Sequence, residues 1–246
     1  MFGYGIDRKT INIVLAVLIV ISFLGMSSSE WLSLLLTLPA VIIAITFHEF
    51  AHAWMANKLG DTTPKNQGRL TLNPLNHLDP FGFVLLIFAH VGWGKPVEIN
   101  PNNFTSNKSR GTCEALVSVA GPVMNFIIAL VLTIIVVLLE TFASSIIETS
   151  YIGSTLVLLM YITITVNIGL GIFNLIPLPP LDGEKIFRNI LPYKAKLWLE
   201  RNTQTLYTIF IVLWITGYLG NIISPLINTV QQTLYVLISQ LIGKIF

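Results

Sequence analysis

Residues 48–52 of the chain read H-E-F-A-H. On an α-helix, positions i and i+4 share one face. His48 and His52 can therefore offer two imidazoles to one zinc ion, and Glu49 can take a proton from a water held there. The chain has 4 histidines and 8 glutamates, and random placement would give H-E-x-x-H about 0.002 times in such a composition. The motif follows 17 uncharged residues, Trp31 to Phe47. Ionisable groups inside a membrane-length apolar run are costly and mark function. A polar triplet that merely ends a helix at the interface has no need of this spacing.

A catalytic zinc usually takes three protein ligands and keeps one position open. His77, His90 and Asp182 are the candidates for the third, with Asp182 foremost. It lies in N-L-I-P-L-P-P-L-D-G, Asn174 to Gly183. The prolines stop a helix and hold an extended backbone, and Gly183 permits a tight turn after the carboxylate. Such backbone at membrane depth is tolerated only when buried in protein or lining a cavity. His77 precedes Asp79-Pro80, a helix-start signal, and reads as structural; His90 is the weaker candidate. Asn125 and Asn174 could bond a substrate backbone or hold a metal ligand in place; packing between helices is the plainer role for each. Gly92 to Val97 could form an extended edge that pairs with an unwound substrate through Gly92 and Gly94, or an interfacial turn anchored by Trp93.

The elements that carry these residues are membrane spans. Hydrophobic residues make up 54% of the 246 and charged ones 11%, with mean hydropathy +0.76, against roughly 25% charged in soluble domains. Six apolar runs are long enough to cross a bilayer: about Ile11 to Met26, Trp31 to Asn57, Glu114 to Leu139, Tyr151 to Phe173, Leu206 to Leu219 and Ile222 to Ile242. Asn228, Gln231, Gln232 and Gln240 interrupt the last, which is the weakest. Phe81 to Trp93 is too short to span and reads as a re-entrant segment. The expectation is an all-α membrane protein of about six transmembrane helices. A small re-entrant or β insertion would separate the second and third. The whole chain, 1–246, forms a single domain, with a catalytic core at about 31–191 and a C-terminal helical hairpin at about 202–246.

All 14 Lys and Arg residues fall before the first span, between the second and third, between the fourth and fifth, or at Lys244. Positive charge stays inside, so both termini are expected in the cytoplasm of a multi-pass protein of the cell membrane. Arg8 and Lys9 would also suit the start of a signal peptide. Spans two and four then both enter from outside. His48 lies about 26 Å along its helix and Asn174 about 35 Å along its own, both near the cytoplasmic face of a core about 30 Å thick. The single cysteine, Cys113, excludes an intrachain disulfide and is expected as a reduced thiol.

H-E-F-A-H in one span and N-L-I-P-L-P-P-L-D-G after another resemble the site-2 protease family of intramembrane zinc metalloproteases, peptidase family M50. A-G-P-V-M-N, Ala120 to Asn125, is similar to the family's G-P-x-x-N motif. Gly68 to Gly82 is similar to its compact bacterial and archaeal members, which lack PDZ and CBS domains. The resemblance covers about Trp31 to Leu191. It implies one zinc ion on His48, His52 and Asp182, Glu49 as the catalytic acid/base, and hydrolysis of membrane-embedded or signal-peptide-like substrates near the cytoplasmic side. The lipid bilayer is the expected surrounding; no nucleic acid is expected as a partner, and a homo-oligomer is left open. The rival functions are an inactive membrane scaffold and an ion transporter. A transporter would call for further intramembrane charges and repeat symmetry, which the sequence lacks.

Overall fold

A computed structural model describes residues 25, 27–79, 82 and 94–245. The expected first span and re-entrant stretch, apart from Gly25 and Gly82, lie outside the described residues, as do His90, Gly92 and Trp93. The elements are helices: α1 (Ser28–Lys58), the single turn α2 (Thr63–Asn66), α3 (Arg110–Phe142), α4 (Ser144–Thr149), α5 (Tyr151–Asn174), α6 (Asp182–Ile190), α7 (Tyr193–Ile215) and α8 (Tyr218–Ile245). Among the described residues there is no strand. The expected β insertion is represented there by one antiparallel bridge, Leu78 to Gly94.

Local chemistry sets the helix ends. Ser109 caps α3 by accepting from the Thr112 N–H, and Ser150 caps α5 by accepting from Gly153, each satisfying a donor the helix leaves open. Within the apolar runs, Thr133, Thr141, Thr163 and Thr165 donate their hydroxyls to the carbonyl four residues back. This removes a polar group that hydrocarbon could not satisfy.

Helices α1, α3 and α5 pack on one another and form the centre of the molecule. On α1, Ala40, Ala44, Ala51, Ala53 and Ala56 are buried; side chains this small let neighbouring helix backbones approach closely. Ala129 and Val136 of α3 meet Ile164 and Ile168 of α5 in the main core. A second core joins Leu181 to Phe210, Leu219 and Ile223, and so fastens α7 and α8 against the proline segment.

Residues 59–79 and 94–105 are held by two buried charges. Asp61 accepts from the Thr63 and Asn100 amides, the Thr63 hydroxyl and the Asn103 side chain. Burial pushes its pKa up, but these bonds outweigh it and hold the carboxyl below its usual range. Arg69, also buried, donates to the carbonyls of Asn76, Lys95 and Pro96.

Three of the described helices, α1, α3 and α5, are long and apolar enough to cross a membrane. The expected fifth and sixth spans correspond to α7 and α8, which pass only as a pair, bent by 74°. Lys194, Lys196, Glu200 and Arg201 occupy the start of α7 and leave it a short apolar end. Gly217, at φ +76°, supplies the left-handed residue at the bend.

Candidate metal centre

Three donors from two parts of the chain converge. His48 and His52 project from consecutive turns of α1. Asp182 is the first residue of α6, where a carboxylate complements the helix dipole. The His48 and His52 Nε2 atoms are 3.0 Å apart, and Asp182 Oδ2 lies 3.1 Å from each. Among the described residues this is the one group of three such side chains close enough to share a metal. Both histidines are buried.

The hydrogen bonds fix which ring nitrogens face inward. Asn125 donates both amide hydrogens, to the Ala44 carbonyl and to Asn167 Oδ1. Its own Oδ1 therefore faces His48 Nδ1, at 2.6 Å, and can only accept. Asn167 is oriented in turn by donating to the Thr163 carbonyl. The Val117 carbonyl accepts from His52 Nδ1 at 2.7 Å. With both Nδ1 protons committed outward, the Nε2 lone pairs and Asp182 Oδ2 point at one another. Such a cluster needs positive charge at its centre. A divalent cation meets all three at once, and donors about 3.3 Å apart are what a tetrahedral zinc with bonds of about 2.0–2.1 Å requires. The donor set therefore fits zinc.

The motif residues of α3 allow this approach. A Cβ on Gly121 would lie 2.5 Å from His52 Nε2 and 2.6 Å from His48 Cε1. Gly121→Ala is therefore expected to push both imidazoles aside and lose most bound zinc, read as metal content of the purified protein. Full zinc content would show that α3 can yield without moving the donors. Gly183 works differently from the tight turn expected of it. It lies in the first turn of α6, and a Cβ there would run into the carbonyls of Leu175 and Ile176. It lets the proline segment fold back against Asp182.

Glu49 Oε2 accepts the Val97 N–H at 3.0 Å. A cavity of about 150 Å3 adjoins the three donors and is lined also by Glu49, Val97 and Asn174. At about 30 Å3 per water it has room for several waters beside the carboxylate. Asn174, half-buried, donates to the Leu170 carbonyl and borders this cavity. Asn125 has no exposed surface, and its amide is committed on every side. Of the three roles the sequence left it, its bonds to His48 and Asn167 match holding a ligand and packing between helices.

The 94–97 segment is also more committed than an open edge would be. The Lys95 amide donates to the His77 carbonyl, the Val97 amide to Glu49, and the Lys95 and Pro96 carbonyls accept from Arg69. Gly94 pairs with Leu78 in the antiparallel bridge. His77 is fully buried and bonds the Thr71 carbonyl through Nε2; it is not part of the three-donor group. Arg69, Asn167 and the Val117 carbonyl escaped the sequence reading. Only Asn167 left a signal, an amide inside an apolar run.

The model of peptidase family M50 matches residues 36–217, most of the chain and all of this site. The chain belongs to peptidase family M50. It is 37% identical over 199 residues to YwhC of Bacillus subtilis, named provisionally as a zinc metalloprotease; the match covers 81% of this chain and 89% of that one. Rip2 of Mycolicibacterium smegmatis, named in the same way, is 29% identical over 76% of this chain and 69% of its own. Rip2 of Mycobacterium tuberculosis is 30% identical over 58% and 52%. No solved structure matches with significance. This M50 chain is thus a multi-pass membrane zinc metalloprotease, and its three-donor group is where zinc fits.

Proposed function

We propose that the protein hydrolyses peptide bonds of membrane-embedded or signal-peptide-like substrates near the cytoplasmic side of the membrane. His48, His52 and Asp182 hold one zinc, and Glu49 is the general acid/base. The observation that carries this reading is the convergence of two Nε2 lone pairs and Asp182 Oδ2 beside the Glu49 carboxylate, with both histidines and Glu49 on a helix apolar enough to cross a membrane. Bound zinc supplies Lewis acidity, which polarises a carbonyl and makes water acidic enough to attack at neutral pH. Glu49, oriented by the Val97 amide, takes the proton of the attacking water and returns it to the leaving amine. Asn174 and Gly94 border the cleft and are placed to hold the substrate backbone. A helical substrate hides those backbone groups in its own bonds, so it must unwind locally first.

Asn125 acts through His48. It keeps the Nδ1 proton outward and Nε2 free to bind. Asn125→Ala is expected to lower zinc affinity about 10–100-fold, measured by competition with a metal-binding dye; an unchanged affinity would make Asn125 a packing residue only.

The one-sided distribution of all 14 Lys and Arg supports cytoplasmic termini and a cytoplasmic-facing site in a single domain of about six spans. The test is cleavage in proteoliposomes. Single-span substrates should be cut at a bond near their cytoplasmic end, cleavage should stop with a zinc chelator and return with zinc. Uncut substrates across a broad panel, with zinc bound, would refute the protease reading for this chain.

A further inference from the structure

A second cavity, about 480 Å3, opens from the same histidine and glutamate toward α7. His48, Glu49, Pro96, Asn174 and Pro180 border both it and the smaller cavity over the donors, so the two adjoin at Glu49. Most of the remaining lining is apolar: Ile45, Leu170, Phe173, Phe210, Ile211 and Trp214. The rings of Phe173, Phe210 and Trp214 pack on one another, with centroids 5.5–6.0 Å apart. Phe210 is fully buried. Mutually packed rings make a stiff surface, so this space is shaped before anything enters it.

We infer that this cavity is a specificity subsite, taking a large apolar side chain, aromatic or branched aliphatic, from one of the two residues flanking the scissile bond. This rests on the protease reading above. Size supports it: an apolar cavity of about 150 Å3 already admits a benzene ring, so 480 Å3 accepts an aromatic side chain together with its flanking peptide. Position supports it as well, because a residue seated there places its own peptide bond at Glu49. Besides His48 and Glu49, the polar side chains of the lining are Asn174, which borders both cavities, and Tyr207. A charged side chain would lose its hydration deeper in and find no partner.

The test uses the full chain with zinc in proteoliposomes and a single-span substrate whose cleavage site has been mapped by mass spectrometry. Each flanking residue is varied through Ala, Leu, Phe, Trp and Asp. At one of the two positions, kcat/KM for Phe or Leu should exceed that for Ala by about tenfold or more, and Asp should be the poorest. Ile211→Trp narrows the space and should lower the Phe-to-Ala ratio about tenfold. Trp214→Leu widens it and should raise the Trp-to-Leu ratio by a similar factor. Only variants that retain zinc are compared. A wild type indifferent to both flanking side chains overturns the inference. So do ratios unchanged within about twofold in both variants, which would make the cavity a lipid-filled or packing void and leave the protease reading standing. A wild type that binds zinc but cuts no substrate would remove the reading itself, and this inference with it.

Discussion

Glu49→Gln is expected to abolish peptide-bond cleavage while zinc stays bound at one ion per chain. Glutamine fills the same volume and can still accept the Val97 N–H that glutamate accepts now, so the loop over the site keeps its place. It cannot take a proton from water. A positioned base contributes typically 10²–10⁴-fold, so residual turnover should fall at least about that far. Mass spectrometry of reconstituted substrate gives the cleavage, and metal analysis of the same sample gives the zinc. Near-normal turnover with zinc bound would mean that another group does the proton transfer.

Asp182→Ala is the second large effect. Two imidazoles alone hold a catalytic zinc poorly, and here the carboxylate is also the anion that offsets the metal charge. Most bound zinc should be lost, and all cleavage with it. Asp182→Asn should bind more weakly than the native chain, since a neutral amide keeps an oxygen and not the charge. His77→Ala should retain zinc, because His77 bonds Thr71 and stands apart from the three donors. His90→Ala should also retain it. Zinc that survives loss of Asp182 and vanishes with either of these histidines would point to a three-histidine centre.

The pair His48 and His52 was legible because helix geometry alone puts i and i+4 on one face. Asp182 was legible because prolines at that depth need a reason to be there. Both inferences use chain-local physics and the cost of polar groups in lipid. What was not legible depends on which helices become neighbours. That Asn125 reaches His48, and that Asn167 orients Asn125 from 42 residues away, follows from the packing of α1, α3 and α5. Nothing in the spacing of the amides encodes it. Gly121 was visible as part of a motif, but its purpose appears only once α3 lies against the two imidazoles. Arg69 read as one more cytoplasmic charge; its burial among three carbonyls is a property of the folded loop. The C-terminal end was legible only in outline. Two apolar runs suggested two spans, and α7 and α8 lie there as two helices that are long and apolar enough only when taken together, bent by 74° at Gly217.

Whether His48, His52 and Asp182 share one zinc ion is read from X-ray absorption at the zinc edge of the purified protein. One zinc per chain is expected, with two imidazole nitrogens at about 2.0–2.1 Å, oxygen at about 2.0–2.2 Å and no sulfur. A sulfur shell near 2.3 Å, a third imidazole in place of the carboxylate oxygen, or the same spectrum from an Asp182→Ala sample would contradict it.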